Sequence, residues 1–172
     1  ILVYFLLPSF YDKKKNKSQI ENQILKQYNF EVMLDKNLSY GLFPKPHFSS
    51  DNVTIQNDSK IISISKNTKF FISSKNFFSS KGINIKSLVF TETDFKINRS
   101  TYKFFFNLFE NFLVKKNIRF FKNKLFYLDQ NDNVIFFTDV KKMNYSYQEN
   151  FINEVKSKLE IFNLPVSLKA TN

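Results

Sequence analysis

Apolar and polar residues follow two different periods along this chain. Ile20, Ile24, Leu25 and Tyr28 recur at helical spacing and predict a short helix over residues 19–27. Ser18-Gln19-Ile20-Glu21 has the form of a capping box at its start. From Phe30 onward the period becomes two. Strands are expected at 31–35 and 38–43, joined by the turn composition Asp35-Lys36-Asn37, and Pro44 and Pro46 then interrupt ladder pairing. Val53 and Ile55, Ile62 and Ile64, Phe70 and Ile72, and Ile83 and Ile85 each alternate with polar neighbours. Asn67 breaks this run, and the phase slips before Leu88 and Phe90, as at a β-bulge. Phe95 and Ile97 follow, so the pattern reads as a meander of strands of about six residues, each with one apolar face.

Residues 101–116 return to helical spacing, with Phe105, Leu108, Phe109, Phe112 and Leu113 on one face and Ser100 or Thr101 as the N-cap. Strands resume at 118–121, 124–128, 134–138, 142–147, 155–162 and 166–170, and residues 129–133 read as a hairpin turn. The expected fold is α+β and mainly β: an elongated, curled antiparallel sheet with an N-terminal amphipathic helix and one further helix near 101–116. No composition shift marks a domain boundary. Residues 9–172 are expected to form one β-rich domain.

Composition narrows the chemistry. At 172 residues and 42% hydrophobic content the chain can bury a core. The absence of Cys removes disulfides, thiolate nucleophiles and Cys-based zinc sites together, and a single His removes His-cluster metal sites. Two Gly leave no room for a Gly-rich phosphate loop. Phe, Asn, Ile and Lys are abundant, whereas Ala, Gly, Pro and Arg are scarce, which matches an A/T-rich coding sequence. The net charge of +11 is therefore read mainly as codon bias, carried by Lys spread along the chain.

The remaining candidates each have a plain structural reading. His47, in Pro44-Lys45-Pro46-His47-Phe48, has no partner for a triad or a metal and is expected in a turn or packing role. Glu92 and Asp94 share one strand face and are expected on a solvated edge. The segment 120–126, Phe-Phe-Lys-Asn-Lys-Leu-Phe, could stack bases or pack its rings inward. No pattern calls for an enzyme, a cofactor or a metal. The apolar residues 1–7, Ile-Leu-Val-Tyr-Phe-Leu-Leu, are too few to cross a bilayer. They read as the end of a membrane anchor, with residues 1–8 its remnant, or as a short buried strand. Lys13, Lys14, Lys15 and Lys17 would then sit at the interface.

Taken in order, the apolar run into residues 6–15, the helix, the stretch "LSYGLFPKPHFSSDNVTI" and the alternating "IISISKNTKFFIS" resemble the N-terminal part of the AsmA family. The positions that carry the likeness are Phe43, Pro44, Pro46, Asp51, Val53, Ile55, Ile62 and Ile64. The resemblance implies a single-pass anchor in the bacterial inner membrane, with the bulk in the periplasm. It also implies a long sheet curled into an apolar groove for phospholipid, no catalytic residues, and a role in phospholipid transport, outer-membrane assembly and envelope integrity, with envelope proteins as possible partners. Val53, Ile55, Ile62, Ile64, Ile83 and Ile85 alternate with polar neighbours and are expected to share one sheet face, which would line that groove. The alternative is a basic RNA-binding or ribosome-associated protein; no specific nucleic acid is expected on the first reading.

Overall fold

The structure, a computed structural model, describes residues 13–57, 60–73, 83–110, 117–147 and 153–171; the side chains of 13–15 and 107–110 lie outside the description. Helix α1 (Lys13–Tyr28) is followed by β1 (Glu31–Met33), β2 (Leu38–Gly41), β3 (His47–Asn57), β4 (Lys60–Ile72) and β5 (Ile85–Ile97). Helix α2 (Tyr102–Glu110) then leads to β6 (Asn117–Leu128), β7 (Val134–Tyr147), β8 (Asn153–Ile161) and β9 (Leu164–Thr171). All nine strands belong to one open sheet in the order β1-β3-β4-β5-β6-β7-β8-β9, with β2 beside β3. Pairing is antiparallel except between β5 and β6, which run parallel because α2 carries the chain across between them. β1 and β2 do not pair with each other. They lie end to end along β3, opposite its residues 54–56 and 47–50.

Both helices lie on one face of the sheet, here the inner face. Helix α1 lays Ile20, Ile24 and Tyr28 into the core, while Leu25 turns out to solvent. The expected capping box is not used, because the helix is already formed at Lys13 and Ser18 falls inside it. Glu21 has a different task. Its Oε1 accepts a hydrogen bond from the Leu34 backbone N–H at 2.9 Å and ties the helix to the segment after β1. At α2, Phe104 is buried and meets Phe30 edge-on at 5.6 Å, and Phe105 meets Phe95 at 5.8 Å. The Asn98 Oδ1 accepts from the Ser100 and Thr101 N–H groups and its Nδ2 donates to Asp132 Oδ1, so the helix start is joined to the β6–β7 turn. Phe112 and Leu113 of the expected helical face lie outside the described residues.

The strands are 11 to 14 residues long from β3 to β7, about twice the length that alternation predicts. The reason is a crease. In each of these strands the inside–outside alternation slips at one shared line. Two consecutive residues face out: Asp51 and Asn52, Lys66 and Asn67, Thr91 and Glu92, Phe121 and Lys122, Lys141 and Lys142. The slips lie side by side. The ladder pairs Asp51↔Asn67 and Val53↔Ser65 flank one, Thr91↔Phe121 and Asp94↔Lys124 another, and Phe121↔Lys142 and Asn123↔Val140 a third. The register therefore passes through β3–β7 unbroken at this line. It ends at β8, which has no slip and absorbs the difference as a one-residue shift between Val140 and Lys142.

Asn52, Glu92 and Lys122 adopt left-handed backbone conformations on this line, with φ of 52°, 53° and 54°. The turned peptides leave backbone groups without ladder partners, and buried polar side chains replace them. Asn123, buried, accepts from the Thr93 N–H at 2.8 Å and donates to the Phe90 carbonyl at 3.3 Å, bridging the parallel pair. Thr93 Oγ1 donates to Ser65 Oγ at 2.8 Å, and Ser65 Oγ donates to the Asn67 carbonyl. The rings of Phe90, Phe95 and Phe120 pack on one another beside this row, with centroids 5.6 to 6.3 Å apart.

The expected turn at 129–133 is present. Asp129 Oδ1 accepts from the Asn131 and Asn133 N–H groups at 2.8 Å each, and Asn133 Nδ2 donates to Oδ2. These bonds, that from the Asn133 backbone foremost, hold the Asp129 carboxyl below the usual carboxylate range.

Two outcomes are expected. Replacing Asn123 by Leu strands the Thr93 N–H and the Phe90 carbonyl in a buried site, each costing roughly 1–3 kcal/mol. Urea unfolding should show a loss of at least about 2 kcal/mol, and an Asn123→Leu protein as stable as the parent would contradict the bridging role. For Asp129 the folded-state pKa is depressed. Its contribution is present above the unfolded value of 3.8 and is lost as pH falls through that value towards the folded one. Asp129→Ala should therefore flatten the acid limb of a stability–pH profile while leaving the neutral-to-alkaline limb parallel to the parent.

Candidate functional site: an apolar face that extends past its cover

The six expected groove positions do not share one face. Val53, Ile55, Ile62, Ile83 and Ile85 are buried in the core on the inner face. Ile64 points to the opposite face and is 53% exposed. A one-residue register shift beside Ile55 and Gln56 explains the difference. Ile55 pairs with Ser63 and Gln56 with Ile61, so Ile62 is the extra residue of a bulge. Ile62 and Ser63 both turn in, and Ile64 turns out between Thr54 and Asp94. Ser63 and Ser65, read as polar outward positions, are buried instead. Ser63 satisfies its hydroxyl by donating to the Asp94 carbonyl, and Ser65 belongs to the crease row. The five buried positions form an ordinary packed core in this region, closed by α1 and α2.

The same face continues beyond the helices. On β6, β7 and β8 the inward residues Leu125, Tyr127, Phe136, Leu159 and Ile161 are only half-buried. On β9 the inward residues are Leu164, Val166, Leu168 and Ala170, opposite Ile161, Leu159, Ser157 and Val155. Leu164 is 66% and Leu168 54% exposed. No described helix or strand covers them. Among the described residues the inward face thus grades from a sealed core at β3–β5 to a more open surface at β8–β9, with the buried polar residues Asn123, Thr138, Asn153 and Ser157 interspersed between the apolar ones.

At the turn end of β7, Tyr127 stacks on Phe136 at 4.2 Å, and Phe136 reaches Phe162 at 5.9 Å. Ile135, Phe137 and Phe162 line a shallow hollow of about 380 Å3 there together with Asp139 and Glu160; Phe137, Asp139 and Glu160 alternate with the inward residues, so this hollow opens on the outward face. Contiguous exposed apolar surface of this kind is uncommon on isolated soluble domains and marks contact with a partner or lipid.

The outward face has the opposite character. Lys156 and Lys158 on β8 and Lys169 on β9 are exposed. Glu154 lies between Lys156 at 2.6 Å and Lys169 at 3.4 Å. The hydrogen bond from Lys156 is the main cause of its lowered pKa. The two faces of β8 and β9 therefore differ: mainly apolar on the helix side, charged on the other, where three lysines stand beside Glu154 and Glu160.

The remaining candidates fall into structural places. His47 is buried, its Nδ1 lies 2.8 Å from the Lys45 carbonyl oxygen, and its ring rests against Phe71 at 5.2 Å. Gly41, its ladder partner, leaves room for that ring: a Cβ at position 41 would stand 2.5 Å from an imidazole carbon. Glu92 and Asp94 both point outward and are exposed. In the 120–126 segment Phe120 packs inward, while Phe121 and Phe126 stay half-buried. Among the described residues no group of His, Asp and Glu could hold a metal ion. Among them, too, no helix is long and apolar enough to cross a membrane. Residues 1–7 lie outside the described residues.

A charged substitution separates the two kinds of position. Ile85→Asp, in the sealed core, should prevent folding, since an unpaired buried charge costs several kcal/mol. Ile64→Asp, whose carboxylate would face Asp94 across the ladder, should leave the fold intact and lower the unfolding free energy by no more than about 1 kcal/mol. Circular dichroism of both variants checks this, and unfolding of Ile64→Asp would place that side chain inside.

No known protein family matches the chain, and no curated protein matches it.

Proposed function

We propose that the chain handles phospholipid as an AsmA-like, membrane-anchored segment of the bacterial envelope, with its bulk in the periplasm. The observation that carries this reading is the continuity of one mainly apolar sheet face from a closed core to open strands. An acyl chain laid along Leu159, Val166 and Leu168 would gain about 0.8 kcal/mol per buried CH2. A surface built from alternating side chains has no single tight site, so tails can slide along it while a headgroup stays in water. The lipid-contacting residues on this reading are those of β8 and β9. The core positions Val53, Ile55, Ile62, Ile83 and Ile85 support the sheet beneath α1. The open sheet, with a helix at its N-terminal side and no closure into a barrel, also agrees with a trough rather than a sealed carrier cavity.

The reading is tested by photo-crosslinkable residues placed in the full-length gene product in living cells. Phospholipid adducts are expected at Val166 and Leu168 on the helix side, and not at Ser167 or Lys169 on the other. Equal labelling of both sets, or labelling at neither, would overturn the proposal. Leu168→Asp should reduce the adducts at Val166 without altering the thermal midpoint by more than a few degrees, because Leu168 is already exposed.

A further inference from the structure

The outward face of the sheet holds a half-open cleft of about 460 Å3 between the ends of β4–β8, on the opposite side from the apolar surface. Four cations reach it: Lys45 before β3, Lys86 in β5, Arg119 in β6 and Lys156 in β8. Lys86 is placed there by the register shift between Phe71 and Ile72, which makes it the extra residue of a bulge. Glu154 is the only carboxylate lining the cleft among the described residues, and Lys156 and Lys169 already hold it. Among those residues no ion pair engages Lys45, Lys86 or Arg119.

Arg119 is one of only two arginines in a chain whose other cations are lysines. Its guanidinium lies 5.5 Å from the centre of the Phe71 ring, which itself rests on His47. That stacking orients the fork while leaving its N–H donors free. Arg119, Asn144 and Lys156 are consecutive cross-strand neighbours on β6, β7 and β8. Strand spacing of about 4.8 Å therefore sets the two cations roughly 10 Å apart at their backbones, with the amide between them. The Asn144 Oδ1 is buried and has no hydrogen-bond partner. A buried acceptor flanked by two cations is matched by a ligand that brings an anion for the cations and a hydroxyl for the amide.

We infer that this cleft binds a phosphate group carried on a polyol, of the glycerophosphate type, with Arg119 and Lys156 holding the phosphate, Lys156 leaving Glu154 to Lys169, and Asn144 accepting from a neighbouring hydroxyl. Soluble glycerol phosphate and the headgroup of phosphatidylglycerol share this chemistry. The site lies on the other face from the acyl surface, so it stands or falls independently of the lipid-handling proposal.

The test is calorimetric titration of the intact chain with glycerol 3-phosphate, with inorganic phosphate, and with vesicles containing phosphatidylglycerol beside neutral vesicles. Saturable one-to-one binding of glycerol 3-phosphate is expected. Arg119→Gln and Lys156→Gln should each weaken it by about tenfold or more, as loss of a charge-assisted hydrogen bond does. Asn144→Leu should weaken glycerol 3-phosphate and leave inorganic phosphate unchanged. Lys66→Gln, on the same face but outside the cleft, should have no effect. Lys156 is largely exposed, so its variant keeps the fold even if Arg119→Gln does not. Response to the vesicles without response to the soluble ligand assigns the phosphate to a membrane surface; the reverse assigns it to a soluble metabolite. No saturable binding in any arm overturns the inference. So does an equal loss with Lys66→Gln, or tighter binding of RNA that ignores Arg119→Gln.

Discussion

The need to hydrogen-bond every buried backbone group at one line across the sheet governs this fold. Five long strands change phase at that line, and three of them do so through left-handed residues with side chains, Asn52, Glu92 and Lys122. Such conformations cost of order 1–3 kcal/mol each and persist only where the surroundings demand them. The demand here comes from the row beneath. Asn123, Thr93 and Ser65 supply inside the core the donors and acceptors that the ladders lose. Because the slips stay in register across β3–β7, the strands remain paired on both sides of the crease, and the sheet bends as one body.

The crease also decides which residues face the helices. Without it the inward set of each strand would pass to the outer face halfway along, and α1 and α2 would cover a mixed surface. With it, Phe70, Leu88 and Ile118 on one side of the line and Val53, Phe95 and Val140 on the other all belong to one core. That core is rich in Phe and almost without Ala, so large rings fill the space between helix and sheet, and edge-on contacts such as Phe30–Phe104 and Phe95–Phe105 set the depth at which α2 lies.

A sheet of this extent outruns two helices. Its far strands keep the inward apolar pattern without any described element to cover it, and the opposite surface keeps its cations. The molecule is therefore sided: one face offers hydrocarbon contact at β8 and β9, and the other offers a basic cleft built around an arginine held on an aromatic ring. What each can do follows from burial on one side and charge on the other.

Much of this was legible in the chain. Helical spacing placed Ile20, Ile24 and Tyr28 on a buried stripe, two-residue alternation marked the strands, and the composition of 129–133 marked a turn, because these patterns depend on neighbours in sequence. The bulge near Lys86 could also be read, as a slip between Ile85 and Leu88. The crease could not. Each slip looked like a strand end, so 118–121 and 124–128, or 134–138 and 142–147, read as separate strands, whereas β8, which has no slip, read as one. By the same token, alternation alone puts Ile64 inward with Ile62: the bulge that reverses it is defined by pairing with β3, not by its own neighbours. The strand at 166–170 was visible, but the exposure of its apolar side was not, since alternation states which side a residue faces and says nothing about what lies there. The sequence determined the elements and their apolar sides; tertiary pairing decided their length, their phase and which part of the apolar face stays open.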